Sequence, residues 1–301
     1  MESPPNPSPT TAAHPRCFSG ALIKRYDEKQ IHADSFKLTL DVDIRASSTH
    51  GILGHSGSGK STLLNVIAIL DSPSPDTKDL KLNFSSAGKS NHTYEWSEGR
   101  WLHRNGSTSK TVSPDVIRRR HFGFVFQAGH LSPNLSAAQN VMFPLALANV
   151  DRGVAKAKAA ALLTKVGLEP RLHRALPRNL SGGEYQRVAV ARALSHDPDV
   201  VFADEPTGNL DPDAGVKVMN ALQEWRQAAE GRTLILVTHN IDQALAYCDR
   251  LTILRGGNAV CAVNSNGRTS ELAQAVPKDR QERELHRTLI EAALKPSPPA
   301  R

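Results

Sequence analysis

Short, continuous apolar runs recur through the C-terminal two thirds of the chain: Val200-Val201-Phe202-Ala203, Leu234-Ile235-Leu236-Val237 and Leu251-Thr252-Ile253-Leu254. Runs of that length without polar alternation predict strands covered on both faces, as in a parallel sheet. Helical patterns over Asp213–Glu230 and Asn240–Cys248 lie between them. Alternating strand and helix predicts an α/β fold with right-handed crossovers. Thr49–Leu53 and Phe122-Gly123-Phe124-Val125-Phe126 read as two more short strands, and Leu63–Ile67 as a buried helix ended by Pro73 and Pro75. Ala137–Val166 turns helical, Pro177 closes that region, and Glu184–Leu194 is a further helix. By contrast, Phe36, Leu38, Leu40, Val42 and Ile44 alternate with polar residues, which predicts a strand with one buried face.

The remaining stretches are less regular. Residues 1–17, rich in Pro, Ser and Thr, read as a disordered tail. Residues 78–112 contain two strand-like segments, Lys81–Phe84 and Tyr94–Trp96, separated by Gly, Ser and Asn. Trp96 and Trp101 in so polar a stretch leave two readings: a hairpin whose aromatics pack on the sheet beneath, or a docking surface. After Gly257 the pattern fades, and it returns as a helix over Asp279–Leu294 with Leu285, Leu289 and Ala293 on one stripe. That helix either packs back on the domain or binds a partner. Residues 296–301 read as a frayed end.

Composition narrows the setting. The chain has 301 residues, 39% of them apolar, enough for a substantial core. Its formal charge of +7 is scattered, apart from Arg118-Arg119-Arg120, so a nucleic-acid groove is not the first reading, and an anionic membrane surface is equally compatible. Cys17, Cys248 and Cys261 are too far apart for a ligand or disulfide pattern, which suits a reducing compartment. The twelve histidines are dispersed and read as mostly surface residues. No apolar run approaches the roughly 18–20 residues a bilayer span needs, and no signal layout opens the chain. A cytoplasmic protein touching the membrane through a partner is expected.

The chemistry gathers at the strand ends. Gly54-His55-Ser56-Gly57-Ser58-Gly59-Lys60-Ser61-Thr62 fits the phosphate-loop pattern, with a strand entering and a helix leaving. Its glycines let amide groups turn inward around phosphate oxygens, while the helix dipole points to the same place. Lys60 would reach the β- and γ-phosphates, and the Ser61 hydroxyl would ligate Mg²⁺. Asp204, ending an apolar strand, would hold Mg²⁺, and Glu205 would act as general base toward the attacking water. His239 follows another strand and could hold Glu205 and the γ-phosphate. Gln127, a strand-end amide, could touch both Mg²⁺ and water.

Taken together, five segments resemble the ATP-binding subunits of ATP-binding cassette (ABC) transporters, in the family's order. They are the phosphate loop; Gln127 as the Q-loop glutamine; Leu180-Ser181-Gly182-Gly183-Glu184 as the signature; Asp204-Glu205 with Asn209-Leu210-Asp211 as Walker B and D-loop; and Thr238-His239 as the H-loop. Pro206–Asp211 and Leu135–Leu145 look most like the lipoprotein-releasing and macrolide-exporting branch. The resemblance spans roughly residues 18–258. It implies a P-loop NTPase with a RecA-like parallel sheet core, an antiparallel β subdomain, enlarged at about 78–112, and an inserted helical signature subdomain at about 129–195. Residues 259–301 are then a C-terminal extension. Tyr26 sits where the family stacks an aromatic on adenine. The resemblance further implies ATP and Mg²⁺, nucleotide-binding roles for Ser181, Gly182, Gly183 and Asp211, a second copy whose Ser181 and Gly183 close over the first copy's ATP, and a membrane-spanning transporter subunit touched by about Leu131–Leu147.

Three departures stand out. Tyr185 replaces a usually polar residue, Gln or Arg, and is expected to be tolerated on a helix surface. Ala46 and Ser47 replace a Gly-Glu turn, and the segment before Gln127 is longer than usual. Rival readings are a soluble ABC-type ATPase acting on nucleic acid or translation, a P-loop kinase, and a regulator that binds without hydrolysis. The first lacks its coiled-coil insertions or double cassette here, the second leaves Leu180–Gly183 without a role, and the third ignores the full set of Lys60, Asp204, Glu205 and His239.

Overall fold

The apolar runs become the centre of a twelve-stranded sheet. The computed structural model describes residues 15–26, 37–85, 90–264, 287–288 and 290–294. The chain opens with the antiparallel pair β1 (Arg16–Arg25) and β2 (Lys37–Arg45), followed by β3 (Thr49–Gly54) and helix α1 (Lys60–Ile67). Four strands come next, β4 (Lys78–Phe84), β5 (His92–Ser97), β6 (Arg100–Asn105) and β7 (Thr108–Val112). Helix α2 (Pro114–His121) leads into β8 (Phe122–Val125). A helical region carries α3 (Ala137–Leu147), α4 (Arg152–Lys165) and α5 (Gly182–Leu194). The alternation then resumes with β9 (Val200–Asp204), α6 (Pro212–Gln227), β10 (Thr233–Val237), α7 (Ile241–Tyr247), β11 (Arg250–Arg255) and β12 (Asn258–Asn264).

The strand order is β7-β6-β5-β4-β1-β2-β12-β11-β3-β10-β9-β8. Strands β11, β3, β10, β9 and β8 run parallel, and β3 and β10 are buried at every position. Side chains alternate between the sheet's two faces. Leu234, Leu236, Val201 and Ala203 therefore pack into one core with α5 and α6, while Ile235, Val237, Val200 and Phe202 pack into another with α1 and the antiparallel strands. Two apolar layers clamp the same strands, which is why those runs show no polar alternation. Strand β2, one-sided, alternates as expected.

The segment 78–112 continues the sheet beyond β1 as strands β4 to β7. Trp96 and Trp101 are 5% and 2% exposed and meet edge to face, 5.5 Å between ring centroids. They are core, so the docking reading for these rings falls away. His121 is buried as well, against the expectation of surface histidines. Its ring lies 2.6 Å from Asp199 Oδ2 and 3.0 Å from the Tyr94 hydroxyl, stacked on Phe84. This contact pins the added strands to the central sheet. His50 is also buried, and the loss of hydration holds its imidazole down, at about 3.

Two boundaries move outward. Strand β1 already starts at Arg16, with Cys17 buried, inside the stretch read as tail. Beyond Gly257, where the pattern was expected to fade, β12 pairs antiparallel with β11 around a two-residue turn. Gly256 and Gly257 both take positive φ there, the hairpin chemistry that a Gly-Gly pair supplies. In the altered turn before β3, Ser47 takes φ 58 and its hydroxyl accepts from the Gly231 amide. Of the C-terminal helix, residues 287–288 and 290–294 are described. Ile290 is 1% exposed, and Arg287 donates to both carboxylate oxygens of Asp242. The helix packs back on the domain. Residues 1–14, Phe36, Leu285, Leu289 and 295–301, on which parts of the expectations fell, lie outside the described residues. Among the described residues, no helix is long and apolar enough to cross a membrane.

Candidate functional site

Strand β3 delivers the chain into the phosphate loop at Gly54. A Cβ there would lie 2.3 Å from Ser58 Oγ and 2.7 Å from the Leu254 carbonyl, so only glycine fits. Gly57 and Gly59 take φ 75 and 102, a region that disfavours other residues. Gly59 is the cap of α1 and offers no side chain to the first-turn amides, which leaves them for a ligand. Ser58 Oγ is buried without a hydrogen-bond partner. Lys60 Nζ donates to the carbonyls of Gly54 at 2.7 Å and His55 at 2.9 Å, bracing the loop from inside. Burial holds the Lys60 pKa down, while Glu205 and Asp204 oppose that shift. Its ammonium is thus electrostatically coupled to both carboxylates. A tight cradle, an orphaned hydroxyl and a cation fit a polyphosphate chain.

The acidic pair closes the same edge. Strand β9 ends at Asp204, whose carboxyl is pushed upward by burial and by Glu205, against the pull of Lys60. A hard cation there would relieve both effects. Glu205 sits in the left-handed region at φ 43, held by its amide donating to the Val237 carbonyl at 2.9 Å. Such a conformation costs about 1–3 kcal/mol in a non-glycine residue and marks functional positions. His239 Nδ1 lies 2.8 Å from Glu205 Oε1. Gln127 completes the group: a Cβ on Gly208 would lie 3.4 Å from Gln127 Nε2 and 3.5 Å from Glu205 Oε2. The glutamine and the carboxylate therefore flank one glycine.

Five further candidates, Ser181, Gly182, Gly183, Asp211 and Tyr26, stand apart from this group. Ser181 caps α5, in a reciprocal box with Glu184, whose carboxyl is held low mainly by the Ser181 amide. Ser181 and Gly182 are exposed, and among the described residues no hydrogen bond joins Ser181–Gly183 to the phosphate loop of the same chain. Asp211 spends a carboxylate oxygen on capping α6 through the Ala214 amide. Tyr26 donates its hydroxyl to Asp71 Oδ2 at 2.7 Å, with the Lys24 ammonium 4.7 Å from its ring centroid. Burial and Asp71 raise its phenol to about 12, so it stays neutral.

Tyr185 departs from its expected place. Expected to ride passively on a helix surface, it faces inward, and its hydroxyl accepts from the Leu131 amide at 2.8 Å. Beside it, Gln186 donates to the Phe126 carbonyl, and Arg192 donates to those of Gly129 and His130. Spacing alone had placed these residues on one helix but not against the loop that carries Gln127.

The chain as a whole is similar to known proteins. The family model for ABC transporters matches residues 38–208. A macrolide export ATP-binding/permease protein MacB of Aeromonas hydrophila is 41% identical over 72% of this chain, which covers 30% of that protein's length. The chain thus spans about three tenths of the MacB relatives. An uncharacterised ABC transporter ATP-binding protein of Mycobacterium tuberculosis is 40% identical over 75% of this chain and 81% of its own. The ATP-binding cassette MJ0796, solved as a dimer in a post-hydrolysis state bound to ADP and Pi, superposes with a TM-score of 0.65 at 30% identity. That match covers 83% of this chain and 99% of the cassette. With a family model matched over more than half of the chain and relatives 40% and 41% identical over about three quarters of it, the chain belongs to the ABC transporter family.

Proposed function

We propose that this chain hydrolyses ATP to ADP and phosphate, working in pairs to drive a membrane-spanning partner. The observation that carries the reading is the grouping of Glu205, bonded to His239, with Lys60 and Gln127 at the rim of the phosphate cradle. The loop amides and Lys60 bind the phosphates, which fixes the γ-phosphorus for in-line attack. Glu205 takes the proton of the attacking water. His239 orients that carboxylate through Nδ1–H and, when its other ring nitrogen also carries a proton, can donate to the γ-phosphate as well. Ser61, Asp204 and Gln127 are the residues that would hold Mg²⁺, which when bound neutralises phosphate charge. Ser181, Gly182, Gly183 and Asp211 of the second copy, with Tyr26 on the base, would complete the enclosure. Phosphate release from ATP by the full chain, abolished by EDTA and restored by Mg²⁺, tests this. No release under any condition would contradict it.

The partner's place is the groove between α2, β8 and α3, about 560 Å³, lined by Leu70, Phe122, Phe124, Phe126, Phe143 and Leu147 among others. Phe143 and Leu147 are 52% and 51% exposed, an expensive display unless covered. The MacB relatives are named as ATP-binding and permease protein in one chain, and this chain covers 30% of the length of the Aeromonas hydrophila one. We therefore assign the groove to a cytoplasmic helix of a membrane-spanning subunit, which places the chain on the inner face of the membrane. Phe143→Asp is expected to abolish co-purification with that subunit from detergent extracts while ATP affinity is retained. Undiminished co-purification would remove the groove from the interface.

A further inference from the structure

We infer that Tyr185 is a positioning residue for Gln127, acting through the loop that follows β8; the inference rests on the hydrolytic role proposed above. Three side chains of α5 grip that loop at four backbone groups. Gln186 takes the Phe126 carbonyl at 3.2 Å, Arg192 takes those of Gly129 and His130 at 2.7 and 2.6 Å, and Tyr185 receives the Leu131 amide at 2.8 Å. The held carbonyls and amide bracket Gln127 on both sides.

Tyr185 differs from the other two in also setting the loop's shape. A Cβ on Gly129 would lie 2.5 Å from Tyr185 Cε1 and 2.9 Å from Cδ1, so the ring occupies the space a side chain would need. Gly129 answers with φ 66. The ring and the glycine are fitted to each other, and a Gln or Arg at 185 would carry no ring to fill that space. Tyr185, Gln186 and Gln127 also line one small cavity of about 140 Å³, together with Gly182, Asn209 and Leu210. The cavity puts the loop, the start of α5 and the segment after Glu205 in contact with a shared space.

The consequence is mechanical. Helix α5 begins at the capped Ser181, and four residues later Tyr185 touches the loop. A shift of the signature end must therefore carry Gln127 with it, because four hydrogen bonds and a packed ring resist slippage. Tyr185 is the part of this grip that can be loosened alone: Tyr185→Phe keeps the ring against Gly129 and removes only the acceptor for the Leu131 amide.

Steady-state hydrolysis by the full chain and its variants tests this. Loss of one such hydrogen bond predicts a fall in kcat of about five-fold for Tyr185→Phe. KM for ATP and the affinity for a non-hydrolysable ATP analogue should stay at their wild-type values, because the phosphate loop is untouched, while the Leu131 amide left without its acceptor should lower the thermal midpoint slightly. Gln127→Ala is expected to fall further, and adding Tyr185→Phe to it should cost nothing more. Wild-type kcat in Tyr185→Phe beside a crippled Gln127→Ala would overturn the role of Tyr185 alone. A double variant that multiplies the two losses would do the same. Wild-type turnover in Gln127→Ala would instead strike the proposed site itself, and this inference with it.

Discussion

Glu205→Gln is expected to bind ATP with undiminished affinity, lose turnover by about 10²–10⁴-fold, the contribution of a positioned general base, and accumulate as an ATP-bound dimer. The substitution preserves shape. The amide oxygen can still accept from His239 Nδ1, now 2.8 Å from Oε1, and the φ 43 backbone is held by the Val237 carbonyl rather than by the side chain. What disappears is the proton acceptor and one negative charge. Removing that charge also relieves Asp204, whose carboxyl Glu205 pushes upward, and spares the arriving phosphates a repulsion. Binding is therefore expected to hold or tighten while chemistry stops. Phosphate release and light-scattering mass in ATP report the two effects separately. Turnover at the wild-type rate would show that Glu205 is not the base.

Lys60→Ala produces the opposite loss. Lys60 is the one residue of the loop with both a structural and an electrostatic duty. Its ammonium braces the Gly54 and His55 carbonyls, and it faces the charges of Asp204 and Glu205. Without it the loop loses two charge-assisted bonds, and the phosphates meet an edge whose remaining ionisable groups include two carboxylates. A hydrogen bond to a charged group contributes about 1.5–3 kcal/mol, so ATP affinity is expected to drop roughly 10- to 100-fold. Titration calorimetry with ATP measures this. Unchanged affinity would remove the phosphate-loop assignment.

How much of this was legible in the chain depended on the range of the interaction. The central strands could be read because burial on two faces leaves a local trace, as at Val200–Ala203 and Leu234–Val237. The phosphate loop was legible for a similar reason, since Gly54, Gly57 and Gly59 meet steric and dihedral demands within one turn. Glu205, His239 and Gln127 were placed at one edge by strand order, which fixes where each strand ends but not what its last side chain touches. Tyr185 escaped because its partner, Leu131, is distant in sequence and the contact is a single hydroxyl on a backbone amide. The packing of Trp96 and Trp101 onto the sheet was one of the two readings that stretch left open, and the pairing of β5 with β4 and β6 decides for it. The burial of His121 was hidden, because its partners Tyr94 and Asp199 are distant in sequence. The β11–β12 turn was present as Gly256-Gly257 and was outweighed by the fading apolar pattern after it.

The central claim is that each chain finishes its partner's ATP site. Ser56 is exposed on the phosphate loop, and Ser181 is exposed at the start of α5. Chains carrying Ser56→Cys and Ser181→Cys in the Glu205→Gln background can be mixed with saturating ATP and Mg²⁺, then exposed to a short bifunctional thiol crosslinker. The account predicts an inter-chain band at twice the chain mass that forms with ATP and not without it. No band under saturating nucleotide, or equal yield with and without nucleotide, would contradict it.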